Sequence, residues 1–261
     1  MEPIFFWNEE IVVKTYETDF TGKWQPAFLL ASLTEIAAHH AAHLGFDYPG
    51  MLQKDMVWVL SRIKIRFLEL MGPGLKITVK TWPKGIQQKI FFMRDFELRG
   101  PDGRLLALAS TAWLLINPRA RRMLPPAALT AAYPGMSVPD NQGVSAMAEP
   151  LEKISVPDSL PEQMTVEARY NMLDLLGHVN SARYADWVCN CFPLEMHAGR
   201  KLAWLQINYA NEVRPGEQVS IQAAGAAEAE APTGETTWLV QGSNRATGLR
   251  AFEAAAGWTQ A

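Results

Sequence analysis

The sequence predicts an α+β fold made of two tandem copies of one unit, an antiparallel sheet with a helix packed on it. An Asp-x-x-Gly motif stands at a strand-to-helix switch twice, at Asp19–Gly22 and at Asp174–Gly177. A helix-like stretch follows each motif, and a Pro-Gly turn at Pro73–Gly74 or Pro215–Gly216 then lies within a strand-rich segment. Because each half contains one strand, one helix and four strands, we expect the two copies to pair into one continuous sheet.

In the first copy, the segment after the Asp-x-x-Gly motif predicts a helix over Pro26–His43. Strand-like runs then follow at Ile65–Phe67, Leu75–Trp82, Lys89–Leu98 and Leu105–Ile116. This order places the helix before four successive strands, which is typical of a helix packed on an antiparallel sheet.

The second copy repeats the same order. A helix is predicted over Asn180–His197, and strands are predicted at Ile207–Tyr209, Gln218–Ala224, Thr236–Gly242 and Gly248–Thr259. The alternative is two separate α+β domains with an accidental Asp-x-x-Gly match, which the matching Pro-Gly turns disfavour.

The segment between the copies has the composition of a linker, with proline, alanine, glycine and serine in excess. We therefore predict a first copy over residues 1–124, a linker over 125–163 and a second copy over 164–261. A linker of this length must run from one edge of the assembly to the other.

Composition excludes several classes of protein. The chain has 261 residues, 48% of them hydrophobic and 20% charged, with a net charge of −3, so no basic field indicates nucleic acid. No apolar run approaches the roughly 20 residues that span a bilayer, and the first residues lack the pattern of a signal peptide. The only cysteines, Cys189 and Cys191, suit neither a disulfide nor a metal site, so we expect a cytoplasmic protein.

The start of the second helix is the strongest candidate for a site. Asp174, Gly177, His178 and Asn180 stand within seven residues there. Backbone N–H groups at a helix start can polarise a carbonyl, while Asp174 and His178 handle protons or water. Taken alone, the motif is more typical of a capping aspartate and a hydrogen-bonded histidine than of a catalytic site.

Further motifs stand in both copies. In the first copy they are Ser61–Ile65, Thr81–Gly85, Arg94–Phe96 and Ala112–Asn117, followed by Arg121 and Arg122. In the second copy they are Arg169, Asp174, His178, Val179 and Asn180, with Glu212 before the Pro-Gly turn. Together they resemble the acyl-ACP thioesterases of plants and bacteria, which have a tandem (double) hotdog fold and, in the second copy, an Arg followed by Asp-x-Asn-x-His-Val-Asn and a later acidic residue. The resemblance covers nearly all of the chain.

The resemblance implies hydrolysis of acyl-acyl carrier protein to free fatty acid in fatty acid biosynthesis, without a cofactor. We assign Asp174 to activating water or attacking the thioester carbonyl directly. His178 would orient the thioester or shuttle a proton, and Glu212 would hold His178 or serve as the alternative base. In the first copy Lys23 replaces His178 and Leu70 replaces Glu212, so we expect one active site per chain.

Substrate-binding roles follow from the same resemblance. The N–H groups around Gly177 and Val179 would polarise the carbonyl, while Asn180 would contact substrate or simply cap the helix. The first helix, including Trp24 and Phe28, would wall an apolar tunnel for the acyl chain.

Two positions depart from the family pattern. Val213 stands where plant members often have cysteine, which excludes a cysteine nucleophile there, and Leu176 stands where the family usually has asparagine. Two alternatives stay open: an acyl-CoA thioesterase, and a non-hydrolytic acyl-binding double hotdog protein in which Leu176 marks a degenerate site. We predict no membrane or nucleic-acid partner and favour a homodimer.

Two clusters have competing interpretations. His39, His40 and His43 have helical spacing, but without an adjacent glutamate or a third ligand they indicate packing rather than metal. Arg119, Arg121 and Arg122 would form either a docking patch for an acidic carrier protein or a solvated loop. Arg169 fits an ion pair as well as a site.

Overall fold

One antiparallel sheet of eleven strands joins both halves of the computed structural model, which describes residues 5–141, 143–225 and 235–260. The strands of the first half are β1 (Trp7–Val12), β2 (Val57–Phe67), β3 (Lys76–Gln87), β4 (Phe91–Arg99), β5 (Leu105–Asn117) and the short β6 (Arg122–Met123). Those of the second half are β7 (Glu162–Glu167), β8 (Arg200–Tyr209), β9 (Gln218–Gly225), β10 (Thr236–Asn244) and β11 (Arg250–Gln260).

The strand order shows the duplication directly. It runs β1-β3-β4-β5-β2-β8-β11-β10-β9-β7, so each half has the same order and the two halves meet at β2 and β8. In this central pair Arg62 lies opposite Asn208, and Arg66 lies opposite Trp204. The predicted α+β arrangement of two copies in one continuous sheet is confirmed.

The first strand and the first long helix of each half are related by a constant shift in residue number. A shift of 155 residues takes the start of β1 to the start of β7, and takes Pro26, the first residue of the first long helix, to Ser181. Val13 N donates to Leu75 O at 3.1 Å, and Ala168 N donates to Glu217 O at 2.9 Å. The two donors are 155 residues apart and the two acceptors 142, so the same contact is kept although the second half is shorter between helix and turn.

The first long helix, α1, spans Pro26–His43 as predicted. Proline favours the first helical position because its missing N–H would be unpaired there anyway. Its apolar stripe is buried in the main core, together with sheet residues from both halves; the stripe comprises Leu29, Leu30, Leu33, Ile36 and Ala37. Burial of this stripe fixes α1 against the sheet. A short helix, α2 (Tyr48–Gln53), follows.

The second predicted helix was too long. The structure divides it into α4 (Ser181–Cys189) and α5 (Leu194–Gly199), after a short α3 (Pro126–Ala132) that lies between the two copies. Pro193 explains the break, because a proline disfavours the α conformation in the residue before it, here Phe192. None of the helices in the described part of the chain combines the length and apolar character that crossing a bilayer requires.

The segment between the copies crosses the sheet strand by strand. Ala146 N donates to the carboxylate of Asp95 on β4 at 2.8 Å, and Gln206 on β8 donates to Glu152 O at 2.6 Å. Further on, Ala223 N of β9 donates to the carbonyl of Pro161 at 3.0 Å. The exact boundaries proposed for the two copies and the linker stay a prediction.

Candidate active site

The segment before α4 is a tight turn closed by Asp174. Its Oδ1 accepts hydrogen bonds from Leu176 N at 2.9 Å and from His178 N at 3.3 Å. Asp174 N donates in return to His178 O at 2.8 Å. Gly177 has φ of +76°, a conformation that glycine adopts without steric cost. The aspartate therefore holds the backbone that presents His178.

The first copy contains the same turn. Asp19 Oδ1 accepts from Thr21 N at 2.8 Å and from Lys23 N at 3.0 Å, and Gly22 has φ of +78°. This copy has no imidazole at the position of His178. The turn-closing role of the aspartate is therefore a property of the repeated fold and does not depend on a reaction.

His178 and Glu212 are brought together across the start of α4. Their Nε2 and Oε2 atoms lie 3.0 Å apart, and the two side chains are 26% and 33% exposed. The other carboxylate oxygen of Glu212 accepts from Nε and Nη2 of Arg214, each at 3.2 Å, and also pairs with Arg121. The site is thus reachable from solvent and holds two guanidinium groups.

Equivalent backbone contacts confirm where this pair belongs in each half. Val179 N donates to Val213 O at 2.9 Å, and Trp24 N donates to Met71 O at 2.7 Å. The residue before Met71 is Leu70, so Leu70 occupies the place that Glu212 has in the second half. The imidazole–carboxylate pair is therefore absent from the equivalent position of the first half.

The surroundings of His178 favour its neutral form. Burial lowers the pKa of His178 below its ordinary value of 6.5, and the positive charges of Arg121 and Arg214 lower it further, while Asp174 opposes them. A carboxylate only accepts hydrogen bonds, so the neutral tautomer of His178 that suits its 3.0 Å contact with Glu212 carries the proton on Nε2. Nδ1 is then left with the lone pair.

The predicted backbone donors at the helix start are already engaged. The N–H groups of the four residues from Gly177 to Asn180 all donate within the protein; their acceptors in chain order are Asp174 O, Asp174 Oδ1, Val213 O and Met172 O. The N–H groups of Gly177 and Val179, which were expected to polarise a carbonyl, thus have acceptors within the protein, and that expected role stays a prediction. Asn180 caps α4, its Oδ1 accepting from Ala182 N at 2.9 Å.

One hydrogen-bond donor at this helix start, the backbone N–H of Ser181, was not identified from the sequence. Ser181 is the first residue of α4, and its N–H donates to no group in the part of the chain that the structure describes. First-turn N–H groups have no partner within their own helix. The equivalent residue in the first copy is Pro26, which has no N–H. Aligning the two motifs would have shown this Ser–Pro contrast in the sequence.

An apolar cavity of about 300 Å³ lies beside the second half of α1. It is lined chiefly by Thr34, Glu35, Ala37, Ala38 and Ala41 of α1 and by Trp58, Phe92, Arg94 and Trp113 of the sheet. Since β2 and β8 are antiparallel, Trp58 near the start of β2 and Glu212 just after β8 lie towards the same end of the sheet.

A second cavity, of about 370 Å³, lies where the start of α1 meets the end of α4. The 155-residue shift relates Thr34 and Glu35 of the apolar cavity to Cys189 and Asn190 of this one. By that relation the apolar cavity belongs to the side of the molecule where α4 starts. Trp24 lines the second cavity, and Phe28 lines neither, so the role of these two residues as a wall for the acyl chain stays a prediction.

Arg94 gives the apolar cavity one buried charge. Complete burial lowers the pKa of Arg94 to about 10. Its Nη1 lies 3.0 Å from His40 Nδ1 and 3.2 Å from Thr81 Oγ1. The cavity is therefore apolar along its aromatic wall and polar where Arg94 lines it.

The remaining candidates have structural partners. His39 contacts the carboxylates of Glu9 at 3.0 Å and Glu35 at 3.2 Å, and the residues described here include no group of three side chains placed to hold a metal. Burial raises the pKa of both cysteine thiols to about 12, which disfavours either as a nucleophile.

Of the candidate arginines, one lies in the site and the others lie at the surface. Arg121 pairs with Glu212 and so belongs to the site. Arg119 pairs with Asp55 at 2.8 Å, Arg169 pairs with Glu167 at 3.1 Å, and Arg122 is exposed. Two of the three arginines that the sequence offered as either a docking patch or a solvated loop are therefore already in ion pairs.

Two family models match the chain, one for each half. The acyl-ACP thioesterase N-terminal domain matches residues 6–127, and the acyl-ACP thioesterase C-terminal domain matches residues 157–260. Together they cover most of the chain.

Curated acyl-ACP thioesterases are similar to this chain at low sequence identity. The chain is 22% identical over 253 residues to oleoyl-acyl carrier protein thioesterase 1, chloroplastic, of Arabidopsis thaliana, covering 91% of this chain and 69% of the relative. It is 25% identical to acyl-[acyl-carrier-protein] hydrolase FATB1, chloroplastic, of Cuphea viscosissima, covering 77% and 49%. The chain thus spans from about half to about two thirds of the length of these relatives.

Solved structures share the architecture. An acyl-ACP thioesterase from Bacteroides thetaiotaomicron superimposes with a TM-score of 0.79 at 23% identity, covering 97% of each chain. The 12:0-ACP thioesterase from Umbellularia californica gives a TM-score of 0.79 at 17% identity, covering 98% of this chain and 95% of that one. These likenesses confirm the predicted tandem hotdog fold.

Proposed function

Because this chain belongs to the acyl-ACP thioesterase family, we propose that it hydrolyses the thioester between a fatty acyl chain and acyl carrier protein, releasing free fatty acid. The 3.0 Å contact between His178 and Glu212 supports this most directly. It joins a base to an orienting carboxylate beside a helix start, and the equivalent position of the first half lacks it.

In the proposed reaction His178 is the general base. Glu212 holds Nε2–H, and Nδ1 takes a proton from a water molecule whose oxygen attacks the thioester carbon. The tetrahedral oxyanion accepts a hydrogen bond from Ser181 N–H. Collapse breaks the C–S bond, and the leaving thiolate takes the proton from the imidazolium. The products are a fatty acid and the thiol of the carrier.

Asp174 supports this reaction in two ways. It closes the turn that carries His178, and its negative charge raises the pKa of His178 against the effects of burial and the two arginines. The charge therefore stabilises the imidazolium that forms during the reaction.

The apolar cavity is the proposed receptor for the acyl chain. Burial contributes about 0.8 kcal/mol per CH₂ group, so the length of the cavity can select the length of the chain. Its walls come from the first half of the molecule, whereas the catalytic pair comes from the second. Chain selection and hydrolysis are then divided between the two copies.

We propose that the carrier protein docks beside Arg122. The contact between Arg121 and Glu212 fixes this arginine-bearing loop next to the site. Arg122→Glu should raise KM for acyl-ACP about tenfold and leave KM for a neutral acyl-pantetheine unchanged. The matched control is Arg104→Glu, an exposed charge reversal at the turn between β4 and β5.

Assays distinguish the proposed function from two alternatives, an acyl-CoA thioesterase and a non-hydrolytic acyl-binding protein. Acyl-ACP and acyl-CoA with the same acyl chain separate the carrier types, and equal or better turnover of the CoA ester would displace the proposal. The non-hydrolytic alternative is favoured by Leu176, whose side chain cannot hydrogen-bond. It would be supported if acyl-ACP stayed bound and intact through long incubation with the purified protein.

A cytoplasmic location and a homodimer are also proposed. Cys189 and Cys191 are free thiols, which is consistent with a reducing compartment. A fluorescent fusion in the source cell tests the location, and sedimentation equilibrium tests the dimer. A monomer at micromolar concentration would contradict the second proposal.

A further inference from the structure

We infer that the apolar cavity takes acyl chains whose far end is a carboxylate, and that Arg94 binds this carboxylate. Arg94 lines the cavity, and only 8% of the residue is exposed. The substrate class is then the monothioesters of long dicarboxylic acids, and hydrolysis releases the dicarboxylic acid. This class rests on the proposed function, because the cavity is taken there as the receptor of the acyl chain.

Arg94 is a buried cation whose partners in the described part of the chain are uncharged. Its Nη1 donates to Nδ1 of His40 at 3.0 Å and to Oγ1 of Thr81 at 3.2 Å. Because arginine has no acceptor, Nδ1 of His40 carries a lone pair rather than a proton. A buried charge is costly unless it is paired. The guanidinium therefore lacks an anion that the described residues do not supply.

One edge of this guanidinium faces the cavity. Nε and Nη2 of Arg94 donate to no group within the residues that the structure describes. Neither atom is among the fully enclosed polar atoms that lack a partner there, so both nitrogens keep accessible surface. Since Arg94 lines the apolar cavity, that surface opens into the cavity. Buried donors are rarely left unused, and these two belong to one planar group.

Nε and Nη2 form an edge with which arginine binds a carboxylate through two parallel N–H groups. The molecule uses this edge elsewhere. Nε and Nη2 of Arg214 both contact Glu212, each at 3.2 Å. Nε and Nη2 of Arg99 contact Glu97 at 3.3 and 3.1 Å. A hydroxyl group would accept one hydrogen bond but leave the charge unpaired, so the edge favours a carboxylate.

Arg94 lies far from the catalytic pair. It is on β4, and β5 and β2 separate β4 from β8, the strand that precedes Glu212. Three strand spacings amount to roughly 14 Å. Nη1 also reaches Thr81 on β3, which is on the side of β4 away from β8. A polar group on the second or third carbon of an acyl chain stays near the thioester, so the group that meets Arg94 is at the far end of a long chain.

Glu35 is the other charged residue in the described lining of the apolar cavity. Its side chain is 71% exposed, and its Oε1 lies 3.2 Å from Nε2 of His39. The carboxylate of Glu35 is therefore at the solvent side of the lining, whereas the guanidinium of Arg94 is buried. The inner end of the cavity thus has a positive charge without a carboxylate beside it in the described chain.

Binding to the full-length wild type tests this assignment without a hydrolysis step. Isothermal titration calorimetry compares three pantetheine conjugates of a hexadecanoyl chain in which a methylene replaces the thioester sulfur. Their far ends are a methyl group, a carboxylate and the methyl ester of that carboxylate. We expect the carboxylate to bind at least about tenfold more tightly than the other two, as is typical of a buried charge-assisted hydrogen bond.

Arg94→Met removes the charge and keeps a long side chain. In this variant the carboxylate-ended conjugate should lose its advantage over the methyl-ended one. Arg62→Met is the matched control. Arg62 is a partly buried arginine of the same sheet, its Nη1 donates to Leu151 O at 3.3 Å, and it lines neither cavity. The preference for the carboxylate should therefore persist in Arg62→Met.

Equal or tighter binding of the methyl-ended conjugate by the wild type would overturn the inference, and this comparison does not depend on the folding of a variant. A carboxylate preference that persists in folded Arg94→Met would overturn it as well. Failure of the proposed function gives a different result. The wild type would then leave acyl-ACP intact in a hydrolysis assay, while the order of binding of the three conjugates stayed the same.

Discussion

Asp19 and Asp174 close equivalent turns in the two halves of the molecule. Each carboxylate accepts hydrogen bonds from the N–H groups two and four residues further along the chain. Only Asp174 stands beside an imidazole–carboxylate pair. The two residues therefore allow the structural and chemical contributions of one aspartate to be measured separately.

Asp174→Asn tests that separation. Asparagine keeps an oxygen that can accept the turn hydrogen bonds but removes the charge that favours the imidazolium of His178. We expect kcat to fall about tenfold by the loss of that charge, with a near-normal melting temperature. Asp174→Ala should remove most hydrolysis and also lower the free energy of unfolding by about 1 kcal/mol.

Asp19→Asn and Asp19→Ala are the matched controls. Asp19→Ala should cost a similar free energy of unfolding, measured by urea denaturation, because it removes the same kind of turn hydrogen bonds. If Asp174→Asn is as inactive as Asp174→Ala, the aspartate acts as base or nucleophile and the proposed division of roles is wrong.

Removal of the catalytic pair should abolish most turnover. His178→Ala removes the proposed base and should lower kcat/KM by about 10² to 10⁴. Glu212→Gln keeps an acceptor for Nε2–H and should cost less than Glu212→Ala. His39→Ala, which removes an exposed histidine paired with Glu9, is the control. Full activity of His178→Ala would exclude the mechanism.

The pH dependence should follow the protonation of His178. A base must be deprotonated, so kcat/KM should fall as pH decreases through a pKa below 6.5, the ordinary value. Arg121→Ala removes a positive charge that lowers this pKa, and the acid limb should move to higher pH. The pH–rate profile and imidazole NMR titration measure both; a shift to lower pH would contradict the assignment.

Leu176→Asn tests the departure from the family pattern. If leucine replaced a working amide, asparagine should raise kcat, by up to about 10² by analogy with oxyanion-hole donors. Leu176→Ala serves as control, because it shortens the side chain without adding an amide. An unchanged or lower rate with asparagine would mean that the site is built around leucine.

Filling the apolar cavity should change chain-length preference. Ala41→Phe places a ring in the cavity from α1, so the ratio of kcat/KM for long over short acyl-ACP should fall at least about tenfold, since several CH₂ groups lose their burial. Ala31→Phe, at an exposed position of the same helix outside both cavities, should leave the ratio unchanged. Equal profiles for both variants would place the acyl chain elsewhere.

Local patterns determined much of this architecture. Apolar periodicity and Pro26 defined α1 to the residue, and the repeated Asp-x-x-Gly and Pro-Gly motifs predicted two copies in one sheet. Such features depend on neighbours in the chain, which a sequence displays directly. The break at Pro193 was equally local and was overlooked in the predicted helix over 180–197.

Contacts between distant segments required the tertiary structure. The motifs nominated His178 and Glu212 separately, but only folding brought them to 3.0 Å and added Arg121 from the other half. The sequence by itself determined the two copies, their element order and the candidate residues. The tertiary structure decided which N–H groups are already engaged and where the cavities lie, because hydrogen bonding and packing depend on partners far apart in the chain.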